Sequence, residues 1–131
     1  MLATPECVHD SNWYPDSGAT NHLTADPANL MHKADYFGPE QVHMGNGKGL
    51  QIKNVGHSVF HSPFTPKLLS LSQLLHVPSI TKNLMSVSKF ANDNCIYFEF
   101  HPKCCFVKDQ HSQKTLLEGK LKGGLYVFDN T

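Results

Sequence analysis

The triplet Asp16-Ser17-Gly18 is where this chain could do chemistry. It stands in Trp13-Tyr14-Pro15-Asp16-Ser17-Gly18-Ala19-Thr20, an apolar approach that runs into a turn of small residues. A carboxylate on a tight loop, flanked by a hydroxyl and a glycine, has the make-up of one half of an aspartic-endopeptidase site. That chemistry needs two carboxylates facing each other across one water. Neither Asp-Ser-Gly nor Asp-Thr-Gly recurs in residues 19–131, so one chain supplies only half of such a site. A working site then requires two associated copies, each contributing Asp16. The same triplet also fits an ordinary Asx or Ser turn, in which Asp and Ser bond nearby backbone and Gly accepts positive φ.

Other chemistries find less support. Nine histidines and four cysteines (Cys7, Cys95, Cys104, Cys105) invite a metal site. His57 and His61 have a ligand-pair spacing, but no Cys-x₂₋₄-Cys pair accompanies them, and Cys7-x-His9 is equally isolated. No metal site and no cofactor are expected. His22 and His76 could serve as bases, yet no Gly-x-Ser-x-Gly elbow supplies a serine nucleophile and nothing marks one cysteine as activated. His22, beside the triplet, reads as structural or substrate-facing. Gly45-Asn46-Gly47-Lys48-Gly49 lacks the Gly-x₄-Gly-Lys-(Ser/Thr) order of a phosphate loop. It reads as a hairpin tip, either a mobile one that closes over a substrate or a plain tight turn.

Positioning these residues falls mainly to strands. Gln41–Met44 and Leu50–Lys53 flank the glycine-rich tip as a hairpin. Val59–Phe60, Leu74–Val77, Ile96–Phe100, Cys104–Val107, Leu116–Gly119 and Leu125–Phe128 are β-branched, aromatic or leucine runs bounded by turn residues. Trp13 and Tyr14 read as strand residues, and Pro63–Pro66 as a loop. Two segments look helical: Ala28–Ala34, behind an Asp26 cap and Pro27, and Asn83–Phe90, with Leu84 and Val87 on one face. Short strands with frequent turns predict an all-β barrel or sandwich.

Composition sets the outer limits. The chain has 131 residues, enough for one domain, and 40% apolar against 17% charged residues argues for a folded core. Eleven basic and eleven acidic side chains cancel, and arginine is absent, so no phosphate-binding stripe forms and direct nucleic-acid binding is not expected. No apolar run reaches the ~20 residues of a membrane span, and no signal peptide is evident, so no membrane association is expected. The cysteines show no disulfide framework, which points to a reducing, intracellular setting.

Asp16-Ser17-Gly18-Ala19-Thr20-Asn21-His22-Leu23-Thr24 resembles the protease start of copia-type LTR retrotransposon Gag-Pol polyproteins, particularly plant elements. Residues 74–90, Leu74-Leu75-His76-Val77-Pro78 through Asn83-Leu84-Met85-Ser86-Val87-Ser88-Lys89-Phe90, resemble the same polyproteins, as do Tyr97-Phe98-Glu99-Phe100 and Gly124-Leu125-Tyr126-Val127-Phe128. In that family the segment lies between a Gag zinc knuckle and the integrase, so this chain looks like an excised piece. The resemblance implies a retropepsin-like closed β-barrel with one or two short helices. Residues 1–12 would be a linker, 13–100 the barrel, and 101–131 C-terminal strands leading toward the pre-integrase region.

The resemblance further implies a homodimer that cleaves the Gag-Pol polypeptide, in a cytoplasmic virus-like particle. Asp16 would be the catalytic carboxylate, in a loop continued by Ser17, Gly18, Ala19 and Thr20. Ser17 would hydrogen-bond across the dimer axis and Gly18 would let the two loops approach. Thr20 and Asn21, with Gly45, Asn46 and Gly47 of a flap, would contact substrate backbone. Asn83–Ser86 would pack behind the loop, where retropepsins generally carry glycine at the position of Ser86, and serine would crowd it. A catalytically silent β-barrel that mediates association is the alternative.

Overall fold

The computed structural model describes residues 10–43 and 47–129. In chain order its strands are β1 (Trp13–Asp16), β2 (Leu23–Thr24), β3 (Met31–Asp35), β4 (Gln41–His43), β5 (Gly49–Gln51) and β6 (Asn54–His61). Then come β7 (Leu68–His76), β8 (Asn83–Ser86), helix α1 (Val87–Asn94), β9 (Ile96–Phe100), β10 (Cys104–Asp109), β11 (Thr115–Lys122) and β12 (Leu125–Val127). One sheet has the order β1-β8-β2-β7-β6-β3 and a second the order β12-β11-β10-β9, while β4 and β5 pair alone.

β7 shows why strands prevail. Leu68-Leu69-Ser70-Leu71-Ser72-Gln73-Leu74-Leu75 is rich in a good helix former, yet Leu69 and Leu71 alternate with exposed or half-buried residues and are themselves fully buried, as is Leu74. Burying each leucine is worth roughly 1.5–3 kcal/mol. That outweighs the few tenths of a kcal/mol per residue by which propensity favours a helix. Across the interior, Trp13 meets Phe60 edge-on with ring centroids 5.8 Å apart, and Phe60 meets Phe90 at 6.1 Å. The same core takes in Met85, Ile96, Val107, Leu116 and Phe128, so both sheets and α1 share it.

The two sheets join at Trp13 and Phe128, which exchange backbone hydrogen bonds of 2.9 and 2.8 Å. Among the described residues the strands form no closed barrel; the six-stranded sheet is a half-barrel. The all-β expectation stands, and the closure expected of the barrel does not. β3 and β9 end the two sheets as edges, and the β4–β5 ribbon stands apart as its own pair.

The helices differ from their sequence expectations. Asp26 does cap, accepting from the Ala28 N–H at 2.9 Å, but only the 3₁₀ turn Pro27–Asn29 comes after it. Residues 31–34, expected as its continuation, belong to β3 beside β6. Met31-His32-Lys33-Ala34 carries no apolar stripe to bury, so a lone helix there would be marginal and sheet pairing wins. The second helix starts later than expected: Asn83–Ser86 is β8, running parallel to β1 in the register Trp13↔Asn83 to Asp16↔Ser86. Ser86 then caps α1, accepting from the Lys89 N–H at 3.3 Å, and Cys95 ends it at φ 54°.

Candidate active site

β1 delivers Asp16 at its last position, and the chain turns at once. Asp16 Oδ1 accepts the Gly18 N–H at 2.8 Å and the Asp16 carbonyl oxygen accepts the Ala19 N–H at 3.3 Å. The loop is fastened from behind by Ser86, whose Oγ donates to the Ala19 carbonyl at 2.7 Å. The expected crowding by a serine here does not occur. The side chain is buried and uses its hydroxyl as a tie to the loop and a cap to α1. At the far end of the loop, fully buried His22 accepts the Ser86 N–H through Nδ1 at 3.0 Å, and its carbonyl accepts the Leu75 N–H at 2.9 Å.

Asp16, Gly18, Ala19, Thr20 and Asn21 line a cleft of about 670 Å³ together with Gln41, Val42 and His43 of β4. Its apolar lining comes from Leu23, Ile52, Val55, Leu75 and Leu84. Several of these belong to a second apolar cluster around Leu23, Leu75, Val77 and Ile80, against which Val42 and Leu50 of the hairpin pack. The ribbon is thus held beside the Asp16 loop by its own apolar face. A cleft of this size, with apolar walls and a few polar groups, has the make-up of a ligand-binding pocket.

Not every expected residue is in the lining. Ser17 is exposed and outside it, as is Gly47, which has φ 86°. Gly45 and Asn46 lie outside the described residues. Tyr36, Glu40 and Gln73 also line the cleft and were not expected there. The Tyr36 hydroxyl donates to Glu40 Oε1 at 3.4 Å. Tyr36-Phe37-Gly38-Pro39-Glu40 carries turn residues just before the hairpin, the only hint that this segment borders it. Gln73 reaches the cleft at a bulge with φ 53°, a conformation glutamine's type does not announce.

The titrating group built into this site is His22. Burial, then the nearby Lys89 ammonium, lowers its pKa from 6.5 to about 4, with Asp93 acting weakly the other way. It is therefore a neutral imidazole at ordinary pH. His76, also buried, holds Asn54 Oδ1 through Nδ1 at 2.9 Å, and Asn54 in turn donates to Asp35 Oδ1 at 2.9 Å. This chain of bonds fixes β6 against β7 and β3 and leaves His76 a structural group. Among the described residues no three His, Cys, Asp or Glu side chains gather as a metal site, and no helix is long and apolar enough to cross a membrane.

Residues 13–95, from the first residue of β1 to the residue that ends α1, match the family described as Pol polyprotein, beta-barrel domain. The chain belongs to that family. The Pol β-barrel domain here is also 38% identical over 127 residues to the retrovirus-related Pol polyprotein from transposon RE2 of Arabidopsis thaliana. It is 39% identical over 127 residues to the corresponding polyprotein from transposon RE1 of the same plant. Each match covers 97% of this chain, and the chain spans 9% and 8% of those polyproteins. No solved structure matches the domain. The copia-type resemblance of the sequence is thus shown, and it extends through β9–β12 as well as the strands that carry the cleft.

Proposed function

We propose that this Pol β-barrel domain is an aspartic endopeptidase that processes its own polyprotein, acting as a homodimer with one Asp16 from each chain. The observation that carries the reading is the place of Asp16. It ends a strand at the wall of a cleft that is also lined by a two-stranded ribbon. Asp16 of a second copy completes the site, and Ser17, exposed and outside the cleft, is available to hydrogen-bond across the dimer axis. Thr20 and Asn21 contact the substrate backbone, a role supported by their position in the cleft lining. The β4–β5 ribbon closes over the peptide and excludes water, and Gly45, Asn46 and Gly47 contact the substrate backbone. Processing within a cytoplasmic virus-like particle completes the picture.

Paired carboxylates at contact distance share one proton, as is general for aspartic proteases. The ionised member takes a proton from the bridging water, whose oxygen forms a bond to the scissile carbonyl carbon. The protonated member gives its proton to the carbonyl oxygen as negative charge develops there. Collapse of the resulting diol breaks the C–N bond, with a proton passing to the leaving amine. No covalent enzyme intermediate forms.

The test is cleavage of a fused polyprotein-junction substrate at pH 5–6 by the native chain and by Asp16→Asn. Cleavage lost by at least ~10³-fold in the mutant is expected, since the dyad then lacks its shared proton. A second reading, a silent association module, is favoured by one observation: Asp16 Oδ1 already accepts the Gly18 N–H within its own chain, as an ordinary Asx turn would. A dimeric native chain that cleaves nothing would establish that reading instead.

A further inference from the structure

We infer that His22 is the positioning residue of the Asp16 loop, holding it through a lone pair that a proton removes, so that the loop is locked at neutral pH and released in acid. Its meaning for catalysis rests on the endopeptidase reading; its test does not.

The loop between β1 and β2 is tied to β7 by the Leu75 N–H on the His22 carbonyl, and to the start of α1 by Ser86. The Ser86 hydroxyl holds Ala19 from the middle of the loop at 2.7 Å, and the Ser86 N–H is held by His22 Nδ1 at 3.0 Å. Because a backbone N–H can only donate, Nδ1 must be the unprotonated nitrogen, and the ring proton sits on Nε2. Nε2 is fully buried and is one of two buried side-chain polar atoms without a hydrogen-bond partner among the described residues. Its surroundings include the Phe90 ring, edge-on with centroids 6.1 Å apart. A buried donor left unpaired destabilises a fold, so this nitrogen is not what recommends a histidine here. The acceptor at Nδ1 is.

Adding a proton at Nδ1 sets one N–H against another at 3.0 Å. The Ser86 N–H then has no acceptor, and the buried ring carries a charge. Both charged groups that act on the ring come from α1: Lys89, which opposes the proton, and Asp93, which favours it and is itself paired with Lys89 at 3.4 Å. The Leu75 N–H holds the His22 carbonyl, so the backbone of His22 stays on β7 while its ring lets go. Relief therefore falls on the Ser86 end, where the tie to Ala19 is made. Burial places the transition at about pH 4, far below an exposed imidazole.

The experiment is a nitrogen-15 NMR titration from pH 7.5 to 3.5 in the Asp16→Asn protein, in which the carboxylate at position 16 cannot contribute. Expected are an Nε2–H tautomer of His22 down to about pH 5, then one midpoint near pH 4 shared by the imidazole and by the amides of Ser86, Ala19 and Thr20. A His22 midpoint near 6.5, or Ser86 and loop amides that stay put through His22's own midpoint, overturns the inference. Two variants sharpen it. Asparagine can offer Oδ1 where Nδ1 stood, so His22→Asn should keep the neutral-pH Ser86 signal and abolish the midpoint. His22→Leu should lose both, and a Ser86 amide unchanged in His22→Leu would overturn the lock. A native chain that cleaves no substrate would end the endopeptidase reading while these signals still decided the role of His22.

Discussion

Gly18 has an ordinary backbone, without positive φ, and a methyl group built on it would meet nothing closer than its own Asp16 Oδ1, at 3.4 Å. Within one chain, then, glycine is not required. Gly18→Ala should leave the monomer as stable or stabilise it by up to ~1 kcal/mol. If two loops meet across a dimer axis, the same methyl should lower cleavage by at least about tenfold. Melting curves and the cleavage assay on one preparation separate the effects, and undiminished cleavage would mean that the loops do not meet at residue 18. At this scale the sequence was informative about identity and poor about company. Asp16, Thr20 and Asn21 could be singled out from the triplet and its C-terminal neighbours. Ser86 was expected to crowd the loop because side-chain bulk is visible in a sequence, whereas the direction of an Oγ–H is fixed only by the register of β1 on β8.

Among the elements, α1 depends on one polar residue in its last turn. Asn94 is buried and clamps β7, donating to the Ser70 carbonyl at 2.9 Å and accepting the Ser70 N–H at 2.7 Å, as a neighbouring strand would. It also donates back to the Phe90 carbonyl at 3.0 Å. Asn94→Ala should destabilise the domain by about 2 kcal/mol, since buried backbone groups lose partners. At this size that lowers Tm by roughly 5–10 °C. An unchanged Tm would show that water replaces the amide without penalty. The strands were legible where alternation or aromatic runs marked them, as in Ile96–Phe100 and Cys104–Asp109. The 3₁₀ turn was misjudged because a cap and a proline announce where a helix could begin and say nothing of how far it runs. The lateness of α1 has a similar cause: Leu84 and Val87 satisfy a helical stripe on paper, but Met85 is fully buried within β8.

For the whole molecule, the acid response is governed by His22. Its pKa is about 4 in the fold and near 6.5 when exposed, so the folded state prefers the neutral ring. Stability is full above pH ~6.5. It declines as pH falls toward 4, where the unfolded chain takes the proton and the folded one resists, and this contribution levels off below. The loss amounts to at most about 3 kcal/mol. His76, lowered mainly by burial, acts in the same direction. Asp109, held below the usual carboxylate range by the Ser112 and His111 N–H groups and by Lys67, removes its share only in stronger acid. Melting curves should therefore fall between pH 6.5 and 4 from the His22 contribution, and a flat Tm between pH 7 and 4.5 would contradict it.

Whole-molecule assembly has its own test, because Glu40 also lines the cleft and is a second carboxylate within the same chain. If the site is built from two Asp16 side chains, an excess of Asp16→Asn chains should trap native chains in dead pairs and reduce their cleavage several-fold. Cleavage that depends only on the amount of native chain would instead direct attention to an Asp16–Glu40 pair.

The clasp between Trp13 and Phe128 bears on time as well as shape. During synthesis the strand that ends in Asp16 leaves the ribosome before β8, its parallel neighbour. The partner on its other edge, Phe128, is among the last described residues to emerge. Until then a nascent polyprotein carries β1 with an open edge, able to pair with whatever strand is near. The order of the chain therefore withholds the second neighbour of the Asp16 strand until every other described strand has been made. A fragment cut back to residues 13–95 would keep the cleft and lose the clasp, remaining in the state of an unfinished translation product.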